Sequence, residues 1–101
     1  MILIVIYTER LDEVRDFYAE LGLTFTKEQH GGGPVHYATT IDTTVIELYP
    51  AGDRPPTGRL RLGLTIPAGA SRKPLPVGEH VLSDPDGRAV AITVTEDHPM
   101  T

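Results

Sequence analysis

Two histidines, His30 and His36, bracket the run Gly31-Gly32-Gly33-Pro34, and the acid Glu47 and another histidine, His80, follow further along the chain. Imidazole and carboxylate are donors that borderline divalent ions take, so His36 with Glu47 and His80 would make a metal set. Histidines beside a flexible turn more often lie exposed or hydrogen-bonded, and that plainer reading is preferred. The glycine run is not a phosphate cradle, because no Lys-Ser or Lys-Thr pair and no helical pattern follows it. It reads as hairpin punctuation. Tyr7, Tyr37 and Tyr49 have rings that can stack on a small ligand and hydroxyls that can hold one, although aromatic residues also belong in strands for their own sake. Ser71 and Ser83 sit on no glycine elbow, so no nucleophile, base and acid can be assigned to one another. The chain has no cysteine, which excludes a thiolate ligand, a thiol nucleophile and a disulfide.

These residues need elements to hold them. Met1 to Tyr7 is apolar and β-branched, which predicts a strand. Leu11, Val14, Phe17, Tyr18 and Leu21 recur at helical spacing among charged residues, which predicts an amphipathic helix over about 10–20. Gly22 follows as its stop. Strands are expected over 23–29, 35–41 and 44–49, with Asp42-Thr43 as a turn. The second half opens on the alternating row Leu60, Leu62, Leu64 and Ile66, a half-buried strand. From Pro67 to Gly78 the prolines and glycines forbid a stable helix. Glu79–Ser83 and Arg88–Thr95 complete the strands around the turn Asp84-Pro85-Asp86-Gly87. The halves echo each other, as a duplicated unit would whose second copy has lost its helix and a strand.

At 101 residues the chain is one domain, 1–101, divided into a module of about 1–49, a linker 50–58 and a truncated module of about 59–95. Lys and Arg number nine against fourteen Asp and Glu, a net charge of −5, and the whole of that excess lies in the first half. So acidic a chain is a poor partner for nucleic acid. The longest apolar run, Met1 to Ile6, is too short to span a membrane and lacks the features of a leader. Absence of cysteine fits the cytoplasm, which is the expected location.

The run from Arg10 to Tyr18, followed by Leu21-Gly22-Leu23, resembles the first helix of the glyoxalase, bleomycin-resistance and extradiol-dioxygenase superfamily, also called the vicinal oxygen chelate group. Val45-Ile46-Glu47-Leu48 resembles its fourth strand, and Asp84-Pro85-Asp86-Gly87 the turn before its last. The resemblance implies an α+β fold: a βαβββ module, then a truncated second β-module without its helix, the mixed sheet curving into a cup. In metal-dependent members four ligands come from the first and last strands of the two modules. Carried onto this chain those positions are Leu3, Glu47, Arg61 and Ala91, of which only Glu47 is a ligand type. The resemblance therefore implies the fold and, residue by residue, no tightly bound divalent metal and no cofactor.

Alternation then divides the faces. Ile2, Ile4 and Ile6 go to the helix side. The cup receives Tyr7, Glu47, Tyr49 and Arg61, with Tyr37 and His36 as further ligand-binding candidates. Glu47 and Arg61 are expected to pair, closing the space the metal would fill. The function expected is metal-free binding of a small organic molecule, with no catalysis assignable. The alternatives are a metal-dependent lyase, isomerase or dioxygenase with a rearranged site, and a protein-interaction module. The second module's apolar row has no helix to cover it, which predicts a homodimer through 60–66 or 88–95.

Overall fold

In a computed structural model describing residues 1–96, the chain runs β1 (Ile2–Thr8), α1 (Leu11–Glu20), β2 (Thr26–Glu28), β3 (His36–Ile41) and β4 (Thr44–Pro50). It continues through β5 (Leu62–Pro67), a 3-10 turn (Ala68–Ala70), β6 (Gly78–Ser83) and β7 (Ala89–Thr95). The fold is α+β, a βαβββ module followed by a second module that lacks the helix and one strand. The strands form two mixed sheets, ordered β1-β4-β3-β2 and β5-β7-β6. In each, the first strand of the module runs parallel to the last, and the last runs antiparallel to the strand before it. The internal echo of the sequence is thus a shared topology.

Local chemistry sets the registers. Asp42 takes a positive φ of 53° in the tight turn between β3 and β4, a conformation that aspartate tolerates and that matches the twist of a hairpin. That turn pairs Ile41 with Thr44 and so puts Ala38 opposite Glu47. In β1 and β4, Val5 lies beside Glu47 and Tyr7 beside Tyr49. Alternation buries Ile6, Ile46 and Leu48 on one side and leaves Tyr7, Glu47 and Tyr49 on the other. Ile2, expected with the buried row, is 59% exposed at the first position of the strand. The strand expected over 23–29 contracts to three residues, as Leu23 and Phe25 turn inward and pack on the core.

One core unites the two sheets. Val14, Tyr18 and Leu21 of the helix segment join Ile6 and Leu48 of the first sheet with Leu62, Ile66, Val90, Ile92 and Val94 of the second. This corrects the expectation of an uncovered row. The second module needs no helix of its own, because its apolar face shares the first module's core. The link after β5 helps: Ala68 and Leu75 pack against the same cluster, and the Arg72 amide donates to the Glu20 carbonyl at 2.7 Å. Residues 60–66 and 88–95 therefore offer a second copy of the chain no bare apolar row. No helix among the described residues is long and apolar enough to cross a membrane.

Candidate functional site

The open face of the first sheet gathers most of the chemistry. The β2–β3 register sets Glu28 across from His36, and β4 contributes Glu47 and Tyr49 to the same side. His36 is 1% exposed, yet its ring nitrogens are engaged with polar groups. Its Nδ1 lies 3.3 Å from the Pro34 carbonyl, an acceptor only, so Nδ1 carries a proton and donates. Its Nε2 lies 3.3 Å from Glu28 Oε1 and 3.5 Å from Glu47 Oε2. The imidazole stacks on Tyr49, with ring centres 4.1 Å apart and planes 9° from parallel. Tyr7 leans on Tyr49 from the other side at 5.9 Å. His30, beyond the end of β2, brings its ring to 5.1 Å from that of His36 and its Nε2 to 3.9 Å from Glu28 Oε1.

The surface is a ladder of aromatic rings bordered by two carboxylates. Partial burial raises the Tyr49 phenol above its ordinary range, and the negative field of Glu47 pushes the same way. Tyr49 accordingly stays neutral and presents an aromatic face and a hydroxyl. Such a wall takes a flat or cationic guest, by stacking, cation–π attraction and charge.

Three residues expected here stand elsewhere. Tyr37 alternates to the opposite side, pairing with Leu48, and is buried. Its hydroxyl accepts from Arg15 Nη1 at 2.7 Å and donates to Asp12 at 3.2 Å, which ties the helix to the sheet. The slip is one of register: alternation counted from Tyr49 through the tight turn sends Tyr37 inward and His36 outward. Arg61 does not meet Glu47. β5 begins only at Leu62 and is bonded to β7, so the strands that would bring them together lie in separate sheets. The partner of Glu47 is His36. His80 sits on the core side of β6, opposite Ile92, with Nε2 2.7 Å from the Pro76 carbonyl and remote from His36 in sheet order.

Arg61 instead lines a cavity of about 700 Å³ with Glu9, Arg10, Arg59 and Arg88. Its size suits a small molecule, and its rim carries the exposed arginines Arg10, Arg59 and Arg61, with Arg88 as its buried polar side chain. Arg88 is bonded to Asp84 at 2.9 Å and to Asp86 at 2.8 Å, and its Nε is buried without a hydrogen-bond partner. The rings and carboxylates around His36 are the better organised surface.

The match to known families covers nearly the whole chain. The family model of the Glyoxalase/Bleomycin resistance protein/Dioxygenase superfamily fits residues 2–97. The chain belongs to that superfamily. Among solved structures it is similar to a lactoylglutathione lyase from Agrobacterium tumefaciens, at 14% identity and a TM-score of 0.58, covering 93% of this chain and 92% of that one. At that identity the likeness speaks for the fold alone. No curated protein matches the chain.

The residues do not fit the superfamily's usual metal. Leu3 is exposed beside Val45 on the open face, Ala91 lies between Gly63 and Val81 in the second sheet, and Arg61 is a fixed cation at the mouth of a different cavity. Glu47 alone offers an oxygen from those positions, and one carboxylate does not hold a divalent ion against water. Sequence reasoning singled out His36 and Glu47 but missed Glu28. The signal was the pairing across the Gly31–Gly33 turn, which sets Glu28 and His36 side by side once β2 and β3 close into a hairpin.

Proposed function

We propose that this chain is a small-molecule-binding member of the superfamily that works without the superfamily's four-ligand metal centre. Its guest lies on the open face of the first sheet, against Tyr7 and Tyr49, with the Glu47 carboxylate at its edge. The observation that carries this reading is the buried His36 stacked flat on Tyr49 beside Glu47. A ring held on one side by the sheet and on the other by a neighbouring ring is ordered before any guest arrives, and that order lowers the cost of binding. The acidic first module favours a cation. Nothing in the arrangement assigns a reaction.

Benzyltrimethylammonium, a flat ring carrying a fixed positive charge, is the probe. Added in excess, it should raise the melting temperature in proportion to the logarithm of its concentration. Tyr49→Ala should abolish the rise and Glu47→Gln should reduce it, while Arg61→Ala leaves it intact. An unchanged melting temperature, or a rise that survives Tyr49→Ala, contradicts the reading.

A further inference from the structure

We propose that Glu28, His30 and His36 form a site for one divalent transition ion of the zinc class, with water completing its shell. It lies at the β2–β3 margin of the first sheet. All three of its protein donors come from the hairpin around the glycine turn, and none comes from the second module. It is therefore a different site from the set Leu3, Glu47, Arg61 and Ala91. It goes beyond the guest-binding reading and stands without it, although it shares His36.

The donors stand close enough to close into a shell by small side-chain movements. Zinc bonds to nitrogen and oxygen of about 2.0–2.2 Å put neighbouring donors roughly 3.3–3.5 Å apart. His36 Nε2 stands 3.3 Å from Glu28 Oε1 and 3.5 Å from Glu47 Oε2, and His30 Nε2 stands 3.9 Å from Glu28 Oε1. Donor atoms of Glu28, His30 and His36 all lie within 4.8 Å of one another. Much of this closeness belongs to the backbone, since Glu28 and His36 are a cross-strand pair and His30 follows Glu28 by two positions.

The state of the buried imidazole is an independent observation pointing the same way. With Nδ1 against the Pro34 carbonyl, Nε2 is the nitrogen turned toward the Glu28 and Glu47 carboxylates. The Tyr49 ring lies parallel to the imidazole, so its hydroxyl, 3.3 Å away, approaches Nε2 from above and leaves the direction in the ring plane to the carboxylate side. Among the described residues no Lys or Arg forms an ion pair with Glu28 or Glu47. Something positive is called for between these groups. A divalent ion balances the carboxylate charge and takes Nε2 as a donor, with the Pro34 carbonyl already orienting the ring as a carbonyl does behind a metal-bound histidine. Exposed His30, beside Gly31 with φ 57°, gives the ion a way in and a ligand free to swing onto it.

Untagged protein, stripped by chelator and dialysed, is titrated with Zn²⁺ by calorimetry and with Co²⁺ by visible absorption. One ion per chain is expected, with the intense visible bands of four-coordinate cobalt. His30→Ala alters only an exposed side chain and so tests the site without risk to the fold; it should weaken binding at least about tenfold. Glu28→Gln should do the same, and His80→Ala should change nothing. Absence of saturable binding, six-coordinate cobalt spectra, or affinity indifferent to His30→Ala would overturn the site. The benzyltrimethylammonium shift is measured in His30→Ala as well. Its persistence there separates failure of the metal site from failure of the guest surface.

Discussion

Arg88 carries more of the fold than its place at the head of a strand implies. Buried to 4% exposure, it binds Asp84 and Asp86, and its Nη2 also reaches the Thr57 carbonyl at 3.3 Å. Asp84 in turn accepts from the Tyr18 hydroxyl at 2.9 Å and from the amides of Asp86 and Arg88. The network clamps the helix, the linker and the last turn together. Burial pushes the Tyr18 phenol well above its ordinary 10.0, and its bond to the Asp84 carboxylate pushes it further. In the unfolded chain Tyr18 ionises near its ordinary value, while in the folded chain it stays neutral. Its contribution to stability is therefore whole below about pH 10 and is lost as pH rises beyond it. Tyr18→Phe should cost about 1–3 kcal/mol at neutral pH in urea melts, and should flatten the alkaline fall in stability. An equally steep fall in the variant would place its origin elsewhere. The turn Asp84 to Gly87 was legible as a turn, but the buried charge network was not. A sequence shows that Asp84 and Arg88 are four apart; only packing shows that Tyr18, far away in the chain, closes over them. The same limit holds for Glu47 and Arg61: matched positions in two modules do not make contact between two strands.

At the scale of elements, periodicity did most of the work. Alternation in β1, β4, β5 and β7 and the helical spacing of Val14, Tyr18 and Leu21 follow directly from which side each residue must bury. The ends were harder. Gly22, at φ 103°, stops the helix as expected, with its amide and that of Leu23 returning to Ala19 and Tyr18. What the spacing could not convey is its second constraint: a Cβ on Gly22 would stand 2.5 Å from the Ala70 carbonyl oxygen. The link between β5 and β6 thus rests directly on this glycine, with Arg72 bonded to Glu20 beside it. Gly22→Ala should lose at least about 1–2 kcal/mol from the backbone strain alone. It should also speed hydrogen exchange at the Arg72 amide, because the link must lift. Unchanged exchange there would mean that the link does not depend on this contact.

The whole molecule solves a problem that hydropathy posed and left open. Alternation identifies an apolar face but not what covers it, so Leu62, Ile66, Val90, Ile92 and Val94 read as surface in need of a second chain. They lie instead on the core of the first module, packed with the residues of α1. Sharing that core leaves the opposite side of the first sheet open, and there the rings of Tyr7, His36 and Tyr49 and the carboxylates of Glu28 and Glu47 stand together. The arginine-rimmed cavity by Arg61 is the rival location. Backbone amide shifts on titration with benzyltrimethylammonium decide between them. The account predicts that the largest changes fall at Tyr7, His36, Glu47 and Tyr49. Changes gathered instead at Arg10, Arg59, Arg61 and Gly87, with the first sheet silent, would contradict it.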